Sequence, residues 1–162
     1  MDATPPQEVL LAVDLGLRTG LALYRRDGRL AWYRSQNFGN VSRLRRGVRG
    51  VLDAIPHLAW LVLEGGGQLA EIWQREAARR GLRVRQVFAE DWRRDILYPR
   101  QQRSGTHAKV HATDLARQVI AWSGARRPTS LRDDAAEAIL VGLWASRELG
   151  WLNRLPDILK RS

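Results

Sequence analysis

Five carboxylates fall where an unpaired charge is expensive. Asp14 interrupts the apolar run LLAVDLG, Glu64 closes the run LAWLVLE, and Asp133, Asp134 and Glu137 open the segment DDAAEAILVG. Each has an ordinary use. Asp14 can accept backbone N–H bonds in a turn through DLGLRTG, Glu64 can pair with an arginine, and Ser130-Leu-Arg-Asp133 has the pattern of a helix capping box. Burying a carboxylate costs several kcal/mol unless it is paired or coordinates a cation. Acids from three distant parts of the chain can offset that cost together by holding divalent metal. Oxygen-only ligands favour Mg²⁺ or Mn²⁺. Two such ions about 4 Å apart would activate a water and stabilise a leaving 3′-oxygen in phosphodiester cleavage.

The elements that must position these acids follow from the pattern. Residues 9–15 read as a first strand, and 19–26 and 29–37 flank Asp27-Gly28 as a hairpin, so three antiparallel strands open the chain. Ser42 is the expected cap of a helix carrying Leu44, Val48, Val51, Leu52 and Ile55 at helical spacing, and Pro56 marks its end. Residues 58–64 form a second continuous apolar strand, followed by Gly65-Gly66-Gly67. A helix over about 68–80 closes at Gly81, a fifth strand runs through 83–89, and the remainder is helical: EDWRRDIL, about 108–122, and about 131–148. The expectation is a mixed α/β chain, one domain over 1–162 with its core at about 9–149 and an unassigned tail from Gly150. If the strands ending in Asp14 and Glu64 are adjacent and parallel, their C-terminal ends meet where open α/β sheets bind ligands. On the last helix both Asp134 with Glu137 and Asp133 with Glu137 can share a face.

Composition narrows the partner. The 162 residues carry 27 basic against 17 acidic side chains, a net charge of +10, which points to a polyanion such as nucleic acid. Lys109 and Lys160 are the lysines in a chain that otherwise uses arginine. With no cysteine, disulfides, thiolate metal sites and a cysteine nucleophile are excluded. There is no run of 18 apolar residues, and the N-terminus MDATPPQE lacks the basic start of a signal peptide. An unsecreted, non-membrane protein is expected. His107 and His111 have a spacing that can bind metal, without a third ligand in view. The tryptophans fall mostly in apolar periodic segments, with Trp92 and Trp151 candidates for base stacking as well as for the core.

AVDLGLRTGLAL, LVLEGG and DDAAEAILVG, in that order with a β-meander between the first two, resemble the ribonuclease H-like superfamily. Within it the similarity is to RuvC-type Holliday junction resolvases and their phage relatives, and it spans about residues 9–147. The resemblance implies a ribonuclease H-like mixed five-stranded sheet flanked by helices. It implies a Mg²⁺- or Mn²⁺-dependent endonuclease with two ions per site, held by Asp14, Glu64, Asp134 and Glu137. Phage-type relatives space the last pair four apart, which would recruit Asp133. It further implies branched DNA as substrate and a homodimer, with the helix at 68–80 the natural interface. A cytoplasmic, nucleoid-associated or a phage- or plasmid-encoded protein would fit. Lys109 matches the lysine that opens the next helix in such resolvases, and Arg100, Arg103, Lys109 and the pair Arg93 and Arg94 of EDWRRDIL form the expected DNA-facing patch. Gly66 and Gln68 stand where such enzymes carry an aromatic wedge, and the glycines would let a nucleic-acid backbone approach closely.

Three rivals share features. VDLGLRTGLALYRRDGRL would fit the phosphate loop of an actin-like kinase or ATPase, which needs two domains and far more chain. A YqgF-type ribosomal RNA processing nuclease shares the fold and the RTG start. A catalytically silent nucleic-acid binding module would keep the charge and need none of the acids.

Overall fold

The computed structural model describes residues 7–97 and 105–160, with side-chain detail omitted at 105–110, 158 and 160. Its strands are β1 (Val9–Asp14), β2 (Arg18–Arg25), β3 (Leu30–Asn37), β4 (Leu58–Glu64) and β5 (Arg83–Val87). The helices are α1 (Val41–Asp53), α2 (Gly67–Arg79), α3 (Ala89–Ile96), α4 (Gly105–Ser123) and α5 (Asp133–Glu148). A short 3₁₀ turn follows at Asp157–Lys160. The strands form one sheet in the order β3-β2-β1-β4-β5. β1 pairs antiparallel with β2 and parallel with β4, and β4 pairs parallel with β5.

This order explains the apolar runs. β1 is the central strand and is covered on both faces, so it has no solvent side and needs no polar alternation. Leu11 and Val13 pack into the layer of α1 and α2, while Leu10 and Ala12 pack into the layer of α3, α4 and α5. β4 divides in the same way, Leu61 and Leu63 to the first layer and Val62 to the second. α5 lies across the sheet and is buried from Ala135 to Ser146 save for Glu137, so it reads apolar on nearly every side. Gly142 makes that crossing possible, because a Cβ there would stand 2.3 Å from the Tyr24 ring and 3.2 Å from the Ala12 Cβ.

Two expected helix starts move. α1 is capped by Asn40, whose Oδ1 accepts the Arg43 N–H at 2.9 Å, not by Ser42. Asn37 and Gly39 turn the chain just upstream: Asn37 Oδ1 accepts the Gly39 N–H at 3.0 Å and Gly39 sits at φ +86°. The Ser130–Asp133 capping box does not form; α5 starts behind Arg132 without a side-chain cap, leaving Asp133 exposed in the first turn. The tail joins the core: Trp151, Leu152, Leu155 and Leu159 pack on the α5 layer, and Leu152 lies against Gly28 of the β2–β3 turn. Among the described residues no helix is long and apolar enough to cross a membrane.

Candidate metal centre

Strand alternation carries both strand acids to one face of the sheet. Asp14 lies two residues after Ala12, and Glu64 two after Val62, so both side chains fall on the α5 side. The parallel register sets Asp14 opposite Glu64. α5 then delivers Glu137, and oxygens of the Asp14, Glu64 and Glu137 carboxylates lie within 4.8 Å of one another. The approach of α5 depends on Gly20, the β2 partner of Asp14. A Cβ on Gly20 would stand 1.9 Å from the carbonyl oxygen of Asp134. The RTG sequence therefore serves two contacts, since Thr19 Oγ1 donates to the Gly16 carbonyl at 2.7 Å and ties down the turn after Asp14.

Electrostatics show how costly this convergence is without a cation. Burial, reinforced by the charges of Glu64, Glu137 and Asp134, pushes the Asp14 carboxyl up to about 8. A hydrogen bond with Glu137 also favours its protonated form. Burial and then Glu137 push Glu64 up to about 7, against partial relief from the Trp92 indole and the Arg93 guanidinium. Glu64 is 8% exposed, and its Oε2 closes no hydrogen bond among the described residues. The buried Trp92 Nε1 beside it likewise closes none of standard geometry. Arg93 Nη2 reaches Glu137 Oε1 at 2.8 Å, one positive charge among several acids. An unsatisfied buried carboxylate oxygen inside an all-oxygen trio fits a hard divalent cation, which would supply the missing neutralisation.

The other expected residues fall at graded distances from this trio. Asp134 is near enough to raise Asp14, but Oδ2 accepts from Ser35 Oγ at 2.9 Å and Oδ1 from the Ala135 N–H at 2.7 Å, which turns it to the rim. Asp133 is exposed and, with Asp134, Arg18 and Arg132, lines a cavity of about 410 Å³. Gly66 and Gln68 are exposed at the start of α2, a few residues past Glu64. The glycine turn there is held internally, with Gln86 Nε2 donating to the Gly65 carbonyl at 2.7 Å. Lys109 lies in the first turns of α4, while Arg100 and Arg103 lie outside the described residues.

Three residues gain a more specific place than their sequence suggests. Arg93, expected to face DNA, is engaged with Glu137. Trp92 is fully buried against Glu64 rather than available for stacking. Ser35 carries no motif at all; its link to Asp134 exists because β3 and α5 meet, which only the tertiary fold reveals. A tryptophan directly before two arginines was the available signal for the other two.

The meander, the parallel extension and the helix laid across it define a ribonuclease H-like fold. T. thermophilus RuvC in complex with a Holliday junction substrate has this architecture, with a TM-score of 0.60 at 16% identity over 89% of this chain and 97% of that one. The zinc-bound large terminase nuclease of thermophilic phage G20c aligns with a TM-score of 0.49 at 14% identity, over 89% of this chain and 84% of that one. No protein-family model and no curated protein sequence matches the chain.

Proposed function

We propose that this protein is a metal-dependent endonuclease that cuts branched DNA, four-way junctions above all, with Mg²⁺ as its working ion. The observation that carries the reading is the meeting of Asp14, Glu64 and Glu137, from three distant segments, within 4.8 Å at the C-terminal ends of two parallel strands. A pair of divalent ions held there would supply an activated water and charge neutralisation at the leaving 3′-oxygen. Asp14 and Glu64 offer rigid strand-borne oxygens, Glu137 closes the trio from α5, and Asp134 contributes from the rim. Arg93 holds the Glu137 carboxylate in place. Lys109, Arg100 and Arg103 serve as phosphate contacts, with Gly66 and Gln68 bordering the path of the backbone. Two copies joined through α2 would set two centres against symmetry-related strands.

The test is cleavage of labelled four-way junction, duplex, single strand and RNA, in Mg²⁺ and in EDTA. Junction cutting in Mg²⁺ alone is the expected result. Preferential cutting of RNA would move the reading to an RNA-processing nuclease, and no cutting of any substrate would overturn it.

A further inference from the structure

Several arginines among the described residues are already engaged by acids. Arg49, Arg79, Arg80, Arg93 and Arg147 use their charge internally, in ion pairs with Glu76, Asp53, Glu137 and Asp95. Arg18, Arg126, Arg127 and Arg132 are exposed, and none closes an ion pair with a carboxylate of the described residues. These four line neighbouring cavities. A cavity of about 400 Å³ is walled by Arg126, Arg127, Trp32 and Tyr33. A smaller one of about 190 Å³ shares Tyr33 with it and adds Ser35 and Arg132. The cavity of about 410 Å³ beside Asp134 shares Leu131 and Arg132 with the second and adds Arg18.

Through these shared residues the three cavities adjoin one another along edge strand β3 and the segment 125–132, a groove whose last member reaches Asp134 on the rim of the acidic centre. The acids lining it are Asp133 and Asp134, at that end. Its walls are fixed: Tyr33 donates to the Arg126 carbonyl at 2.6 Å and Ser35 holds Asp134 at 2.9 Å, whereas the Arg34 guanidinium lies over the Trp32 ring on the opposite, α1 face of the sheet. The groove lies on the β3 flank of the centre, whereas Arg93 and Arg94 sit on α3, beyond β4.

We propose that this groove is a second DNA-backbone track, in which Arg18, Arg132, Arg126 and Arg127 hold successive phosphates of the strand as it leaves the acidic centre. The inference rests on the nuclease reading for the identity of the polyanion, DNA. Unneutralised guanidinium groups along a groove lead the strand past the carboxylates, which would otherwise repel it.

The test is equilibrium binding of a four-way junction in EDTA over a range of salt concentrations, comparing wild type with Arg126→Ala/Arg127→Ala. A control, Arg45→Ala/Arg46→Ala, removes equal charge from the exposed face of α1. The track predicts roughly tenfold weaker binding for the groove variant and a salt slope reduced by about 0.9 for each phosphate no longer neutralised. The control keeps most of both. Arg18→Ala, on a strand rather than the loop, should reduce the slope by about 0.9 and guards against a misfolded double variant. Equal losses in groove and control variants, or none in either, overturn the track, as does a wild type that binds no DNA. Binding with the predicted slope changes but no cutting in Mg²⁺ leaves the track standing and overturns the nuclease reading instead.

Discussion

Asp14 and Glu64 occupy directly opposed positions at the last residues of two adjacent parallel strands, on the face that α5 covers. Backbone register places both side chains at neighbouring positions on one face. Two consequences follow for the metal-free protein: the pair favours its protonated forms, and a divalent cation must displace those protons, so it binds more tightly as pH rises.

The sign of the pH dependence follows directly. Asp14 titrates near 8 and Glu64 near 7 in the fold, against about 4 in an unfolded chain. The folded state therefore binds more protons between those values, and the associated stability is full below about pH 4 and lost as pH rises through 7 and 8. Glu76, held down by Arg80, and Asp95, held down by Trp144 and Arg147, work in the opposite sense and only at acid pH. Thermal melts in EDTA should show Tm falling from about pH 5.5 to about 8.5. Mg²⁺ should raise Tm more at the alkaline end. A flat profile that Mg²⁺ does not alter would be inconsistent with a coupled acidic cluster.

Gly20 and Gly50 should respond in opposite directions to alanine. At Gly20 the added Cβ meets the Asp134 carbonyl, backbone that cannot step aside without lifting the start of α5. A loss of about 1–3 kcal/mol is expected, with weaker Mg²⁺ binding because Glu137 moves too. At Gly50, inside α1 with nothing within 4 Å, alanine should add about 0.5–1 kcal/mol. Urea melts with and without Mg²⁺ would measure both.

The three acids of the last helix should separate by variant. Glu137→Gln removes a member of the trio, and cleavage should fall on the order of 10²-fold or more. Asp134→Asn should cost less, with part of the loss recovered in higher Mg²⁺, because Asp134 stands at the rim beside Ser35. Asp133→Asn should stay within a few-fold of wild type, since that side chain is exposed. Single-turnover rates on one junction would rank them; an Asp133 variant as damaged as Glu137→Gln would reverse the assignment.

Much of this arrangement was legible in the residues, and the limits are physical. An acid inside or at the end of a run with no polar alternation signals a doubly covered strand holding a charge for a purpose, which is why Asp14 and Glu64 stood out. The glycine of RTG was visible, but not its close contact with α5, since that depends on how a helix more than a hundred residues later docks. Asn40 and Ser42 are both able caps two residues apart, and the turn at Asn37–Gly39 decides between them. Ranking Asp133, Asp134 and Glu137 required the rotation of α5 about its axis, which i,i+3 and i,i+4 spacing leave undetermined. The arginine groove was hidden because its members come from β2, β3 and the segment before α5.

The most direct test is the single-turnover rate of four-way junction cleavage as a function of Mg²⁺ concentration, for wild type and Asp14→Asn side by side. Metal-dependent catalysis at the acidic trio predicts saturable cutting by wild type in Mg²⁺, abolished in EDTA. It also predicts a loss on the order of 10²-fold or more in the asparagine variant while junction binding persists. An asparagine variant that cuts at the wild-type rate, or wild-type cutting that continues in EDTA, would contradict it.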